Sequence, residues 1–148
     1  MAVYTKLSHA DIADFLASYD VGELRNFKGI AEGVSNTNYL LTTNNQQLTT
    51  NYILTLFEKK FNIVDLPFFM RLTEYLADKG IICPCPIHNR NGEVIGRIKG
   101  KPAVLIEFLS GQGNPHITPQ HTYLVGEMVA KLHIAAQDFP QRRENSLG

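Results

Sequence analysis

Tryptophan is absent from this sequence, cysteine occurs only twice, and neither charge sign outweighs the other. Each shortage removes a class of function. Cys83 and Cys85 are too few and too close together for a disulfide framework, so a reducing cytoplasm is the expected compartment. The 14 basic and 14 acidic side chains cancel to a formal net charge of zero, and the basic residues never cluster beyond pairs such as Arg142-Arg143. Nucleic-acid affinity comes mainly from clustered cations neutralising phosphates, so a nucleic-acid partner is not expected. No apolar run approaches the ~20 residues that span a bilayer, so no membrane partner is expected either. The segment Met1-Ala2-Val3-Tyr4-Thr5-Lys6 lacks the charged head and apolar stretch of a signal peptide. Cys83, Cys85 and His88 offer thiolate and imidazole groups of the kind zinc takes, but without a second cluster they are expected to be two small apolar cysteines in a loop, and no metal site is assigned.

What is present describes a folded protein. Hydrophobic residues make up 44% of the 148 and charged residues 19%, a balance that supports one domain with a sizeable core. Ser8-His9-Ala10-Asp11 has the form of a capping box, and Ile12, Phe15, Leu16 and Tyr19 follow at helical spacing, which predicts a helix over 10–19 ended by Val21-Gly22. A short strand over 24–28 leads into the glycine-bearing turn 29–33. Residues 38–43 and 51–57 are rich in aromatic and β-branched types and read as a hairpin around the polar turn 44–47. A helix starts at Asp65 or Leu66 with Pro67 in its first turn, where the missing N–H costs nothing, and stops at Lys79-Gly80. Pro84 and Pro86 hold the next segment extended.

Asn91-Gly92 is the strongest short hairpin signal in the chain, and a further turn at Lys99-Gly100-Lys101-Pro102 opens the near-continuous apolar run 103–109. Such a run suits a strand buried on both faces. Residues 110–115 form a glycine-bearing linker, and Thr118-Pro119 caps a long helix with an apolar stripe of Leu124, Val125, Met128, Val129 and Leu132. The expected fold class is α+β: a five-stranded antiparallel sheet with one helix inserted after the third strand, then a hinge into helices. That is the plan of a protein-kinase-like small lobe over 1–109, followed by the linker and first helix of a large lobe over 110–148.

Chemistry concentrates at Gly29-Ile30-Ala31-Glu32-Gly33-Val34-Ser35-Asn36-Thr37-Asn38. Glycines between two strands let backbone N–H groups approach phosphate oxygens where a Cβ would clash, and Asn36 and Asn38 add side-chain donors. The stretch matches neither the Walker pattern nor Gly-x-Gly-x-x-Gly, and by itself it is equally an ordinary hairpin turn.

With Ile53-Leu54-Thr55-Leu56-Phe57-Glu58-Lys59, Asp65-Leu66-Pro67-Phe68-Phe69, Cys83-Pro84-Cys85-Pro86, and Gly126 with Leu132-His133, this stretch resembles the homoserine kinases that share the aminoglycoside phosphotransferase and choline kinase fold. The resemblance runs along essentially the whole chain. It implies ATP-dependent phosphorylation of the L-homoserine hydroxyl, with Mg²⁺. It also implies ATP-binding roles for Gly29, Gly33, Ser35, Asn36 and Asn38, backbone contacts to adenine at Glu107 and Leu109, and a substrate-binding segment holding Arg143 and Asn145. Rival readings are a kinase of the same fold acting on an aminoglycoside, choline or another small alcohol, and a non-catalytic nucleotide-binding module.

Two departures matter. Related kinases place a Lys on the third strand, paired with a helix Glu, to grip phosphates. Here Thr55 stands at about the first position and Phe68 and Phe69 near the second. Losing both is consistent, because either charge buried without its partner costs several kcal/mol; Lys59 or Lys60 is a candidate replacement. Second, no His-x-Asp-x-x-x-x-Asn pattern occurs, so no catalytic residue or metal ligand is assigned. The catalytic residues and the Mg²⁺ ligands are expected beyond Gly148, and the 148 residues alone are expected to be inactive. Asp138-Phe139-Pro140 reads as a helix terminus, and His133 as a core residue on the inward face of the long helix.

Overall fold

The computed structural model describes residues 4–31, 35–46, 48–58 and 63–144. Helix α1 (His9–Leu16) begins at the expected capping box, Ser8 and Asp11 each bonding the other's backbone N–H. It ends at Leu16, earlier than periodicity implies, yet Tyr19 still packs inward from the turn and is 2% exposed. Strands β1 (Glu23–Ile30), β2 (Thr37–Asn45) and β3 (Leu48–Leu56) follow as an antiparallel meander. Helix α2 (Leu66–Asp78) is entered through a 3-10 turn, Ile63–Asp65, with Pro67 in its first turn. Gly80, at φ +83°, ends it. Strands β4 (Ile95–Ile98) and β5 (Lys101–Glu107) complete a five-stranded sheet in the order β1-β2-β3-β5-β4. Helix α3 (Pro119–Ala136) opens at a Thr118 cap.

Alternation sorts the strand residues to two faces. Tyr39, Leu41, Leu54, Leu56, Ala103 and Leu105 face α1 and bury with Ile12, Phe15 and Leu16 in one core. On the other face, Val104 and Ile106 are covered by Leu66 and Met70 of α2. Because α2 covers only the β5 side, the β1–β3 part of that face stays open as a cleft. Pro102, Ala103, Val104 and Leu105 are buried in succession, as a strand covered on both faces requires.

The Asn91-Gly92 turn forms but joins no strands. The Asn89 side-chain oxygen accepts from the Asn91 and Glu93 N–H groups, both at 2.9 Å, so this loop is bonded to itself. The β4–β5 hairpin turns instead at Lys99 and Gly100, with φ of +49° and +76°. Upstream of it, the proline-bearing segment extends along β5: Ile87 N–H donates to Leu105 and Glu107 N–H to Cys85, at 2.8 and 2.9 Å. Helix α3 has no buried residue, and His133 is exposed rather than core, because no described element covers that face.

Candidate nucleotide site

Strand register builds the cleft floor. Lys28, Leu40, Ile53 and Ile106 lie side by side across β1, β2, β3 and β5. Two residues along, about 7 Å away, Ile30, Asn38, Thr55 and Val104 form a second row on the same face. A cavity of about 370 Å³ opens over the first row, lined by Lys28, Gly29, Ile30, Ala31, Leu40, Ile53 and Phe108. Its apolar walls and volume fall in the range of small-molecule sites, and they suit a flat heteroaromatic ring. Larger cavities of 460 Å³ lie elsewhere, one behind the sheet against α1 and one between α2 and α3; neither touches the glycine turn.

Of the ATP-binding residues expected from sequence, Gly29 lines this cavity, and Asn38 sits one row further along. The Thr55 hydroxyl donates to Asn38 Oδ1 at 2.8 Å. Asn38 Nδ2 makes no hydrogen bond among the described residues. Asn36 Oδ1 is buried with no partner among them, an acceptor open to a ligand hydroxyl or a water. Ser35 is exposed in the bend beside it. Gly33, Lys59 and Lys60 lie outside the described residues.

At the cleft's far side, the Glu107 carboxylate accepts from Cys85 N–H at 3.3 Å. The Glu107 N–H is itself bonded to Cys85, whereas the Leu109 backbone makes no hydrogen bond within the described residues. Phe108 between them closes the cavity wall; sequence reasoning placed it in the strand without seeing that chain exit turns its ring into the cleft.

Sequence reasoning also missed the anchor beneath the glycine turn. Thr37, fully buried at the turn's exit, accepts from the Tyr4 and Thr5 N–H groups at 3.0 and 3.1 Å and donates to Glu58 at 2.8 Å. Glu58 also takes a hydrogen bond from Thr5 and an ion pair from Lys101. Burial pushes the Glu58 carboxyl up, but hydrogen bonds from Lys101, Thr5 and Thr37 outweigh it and hold it below the ordinary value. Nothing in the local pattern could reveal this cluster, since Lys101 is 43 residues from Glu58.

Arg143 lies apart from the nucleotide cavity. Its guanidinium bonds Asp65 at 2.6 Å, at the start of α2, and stacks over the Phe69 ring. Nearby, Phe139 packs between Phe68, edge-on, and Tyr75, tilted, which ties the end of α3 to α2 and accords with a helix terminus. Asn145 lies outside the described residues. Among the described residues, no group of three His, Cys, Asp or Glu side chains could hold a metal, and no helix is long and apolar enough to cross a membrane.

A five-stranded antiparallel sheet with a helix inserted after the third strand, and a cleft between the end of β1 and Phe108, is the plan of the small lobe of a protein-kinase-like phosphotransferase. The chain belongs to the phosphotransferase enzyme family (APH), which it matches over residues 26–148. It is 50% identical over 149 residues to a homoserine kinase of Nitrobacter hamburgensis, covering 99% of this chain and 44% of that protein. It is 48% identical over 147 residues to the homoserine kinase of Paramagnetospirillum magneticum, with the same coverages of 99% and 44%. The chain thus spans less than half the length of these curated relatives. Among solved structures, a spectinomycin phosphotransferase in complex with ADP and spectinomycin superposes with a TM-score of 0.68 at 14% identity, covering 88% of this chain and 39% of that one. A microcompartment-associated aminopropanol kinase gives 0.62 at 17% identity, covering 95% and 44%. At such identities the likeness is one of fold.

Proposed function

We propose that this chain is the ATP-binding portion of a homoserine kinase, a cytoplasmic enzyme of threonine biosynthesis that transfers the γ-phosphoryl group of Mg-ATP to the L-homoserine hydroxyl. The observation that carries the nucleotide half is the cavity between the glycine-bearing end of β1 and the Phe108 wall, floored by Leu40 and Ile53. The relatives named homoserine kinase support the substrate half. In this reading residues 1–109 are the ATP-binding lobe and 110–148 the start of the substrate lobe.

Adenine lies over Leu40 and Ile53 and bonds the backbone at Glu107 and Leu109. The ribose and phosphates run toward Gly29, Gly33, Ser35, Asn36 and Asn38. Arg143 and Asn145 are assigned to the substrate, and the amino-acid carboxylate competes with Asp65 for the Arg143 guanidinium. Mg²⁺, when bound, would supply charge neutralisation for the transferred phosphoryl group. This chain's own residues bind and orient: apolar walls exclude water from the adenine, and amide donors hold the phosphates in place. The base that accepts the substrate proton and the metal ligands are assigned to none of the 148 residues; in this reading they follow Gly148 in the full-length enzyme.

The full-length protein is expected to turn over L-homoserine with Mg-ATP at a kcat/KM at least about a hundredfold above that for choline or kanamycin, a margin that a few matched polar contacts supply. Steady-state kinetics on the three substrates check this. Comparable values for choline would favour a kinase of another small alcohol.

A further inference from the structure

The second row of the cleft floor, Ile30, Asn38, Thr55 and Val104, contains no cation. It nevertheless lies about 7 Å along the strands from the first row, toward the glycine turn, with Ile30 at the edge of the adenine-sized cavity. In the nucleotide-binding reading, on which this inference rests, that is where phosphates fall. Thr55 is 8% exposed, so an ammonium there would be stripped of water and would need a buried carboxylate beside it. Val104 fills the neighbouring place on β5 and is fully buried. A hydroxyl meets no such penalty, provided its proton is bonded.

That proton goes to Asn38 Oδ1, at 2.8 Å. A hydroxyl also accepts, but with Nδ2 turned toward it the Thr55 proton would lose this acceptor in a residue that is 8% exposed, so the amide is held with Oδ1 toward β3. A freely rotating asparagine presents oxygen or nitrogen to the cleft equally well, and an oxygen would repel a phosphate. With Oδ1 held by Thr55, the amide offers its two N–H donors, which no described group takes. We infer that Thr55 is a positioning residue for the nucleotide phosphates: acting through Asn38, it converts an ambivalent amide into a fixed neutral donor where related kinases use a lysine. The ligand class it selects is a nucleoside polyphosphate over the free nucleoside.

The experiment is calorimetric titration of the full-length protein with ATP, ADP and adenosine. Thr55→Val keeps the β-branched shape that the strand requires and removes only the donor. It is expected to weaken ATP and ADP binding about tenfold, the size of one lost hydrogen bond to a charged ligand's partner, with adenosine affinity unchanged. Thr55→Ser, which restores the hydroxyl, is expected to recover most of that loss. In an Asn38→Ala background Thr55→Val is expected to have no further effect, because a residue acting through another has nothing left to position. Should Thr55→Val fail to fold, Asn38→Asp still accepts the Thr55 bond but turns a negative charge on the phosphates, and the same selective loss of ATP affinity is expected.

Equal weakening of ATP and adenosine by Thr55→Val, or an additive effect in the Asn38→Ala background, would overturn the positioning role while leaving the nucleotide site standing. Parent protein that binds neither ATP nor adenosine would overturn the site itself, and the inference with it.

Discussion

Gly22 turns the chain from α1 into β1 at φ +81°, and a Cβ added there would lie 2.3 Å from the backbone oxygen of Asn44. Gly92 has nearly the same φ, +79°, but nothing within 4 Å. The pair separates two costs that are usually confounded. Gly92→Ala meets only left-handed backbone strain, about 1–2 kcal/mol. Gly22→Ala adds overlap with a backbone atom that the β1–β2 ladder holds in place, so its cost is expected to be roughly 2–4 kcal/mol. Chemical denaturation of the two variants beside the parent checks the order; equal losses would mean that the β2 end yields freely. Gly96 is tight for another reason, since a Cβ added there would lie 2.6 Å from the Phe15 ring. Sequence alone marks both as turn or strand glycines and cannot rank them, because the ranking depends on what packs against each.

At the scale of elements, much of the fold was legible. The capping box at Ser8, the Thr118-Pro119 start and the Gly80 stop are local chemistry, and each of these three helix ends lies where its signal put it. The apolar run in β5 likewise announced a strand buried on both faces. The Asn91-Gly92 turn misled because its flanks are polar: Asn89 and Glu93 bond each other, at 3.0 Å between side chains, instead of building a ladder. Of the site, the sequence marked Gly29 and Asn38, which lie at or beside the cleft. The Asn38–Thr55 bond and the Glu58 anchor could not, since strand register and long-range ion pairs leave no local trace. Another such link joins α2 to this loop, where His88 Nε2 meets Glu74 at 2.5 Å and its Nδ1 meets the Gly92 carbonyl. The Glu74 hydrogen bond first, and the Gly92 carbonyl second, raise the His88 pKa above its ordinary 6.5. A group whose folded pKa is raised contributes stability that is full below the unfolded value and lost as pH rises through the folded one. Replacing His88 by Gln is therefore expected to lower the melting temperature at about pH 5.5 and to matter little at about pH 9. With the His88 side chain half exposed, solvent screening keeps the effect below about 1 kcal/mol. Melting curves of the two proteins across that range check it, and a deficit growing toward high pH would contradict the assigned pair.

For the whole molecule, one element stands out of balance. Helix α3 carries Leu124, Val125, Met128, Val129 and Leu132, all at least 39% exposed, and none is buried by a described element. Its hold on the rest is confined to the α2 side, through the aromatic contacts of Phe139 and the Arg143–Asp65 pair that follow it. Leaving a large apolar side chain in water forfeits about 1.5–3 kcal/mol, against a total stability of only about 5–15 kcal/mol for a domain. Burial of even part of this stripe therefore changes the state of the molecule. The 148-residue chain by itself is expected to self-associate or to bind a hydrophobic dye, while the sheet and α1, closed around their own core, stay ordered. Met128→Lys with Leu132→Glu is expected to abolish dye binding and association without lowering the melting temperature of the sheet, since neither side chain touches it. The same chain is expected to show no phosphotransfer to L-homoserine at saturating Mg-ATP, because positioning alone, without a group to take the hydroxyl proton, supplies only part of the rate. Sedimentation and dye fluorescence read the first expectation and a coupled ADP assay the second. A monomeric, dye-silent chain would show that α3 is satisfied within these residues, and measurable homoserine phosphorylation would place a catalytic base among them rather than beyond Gly148.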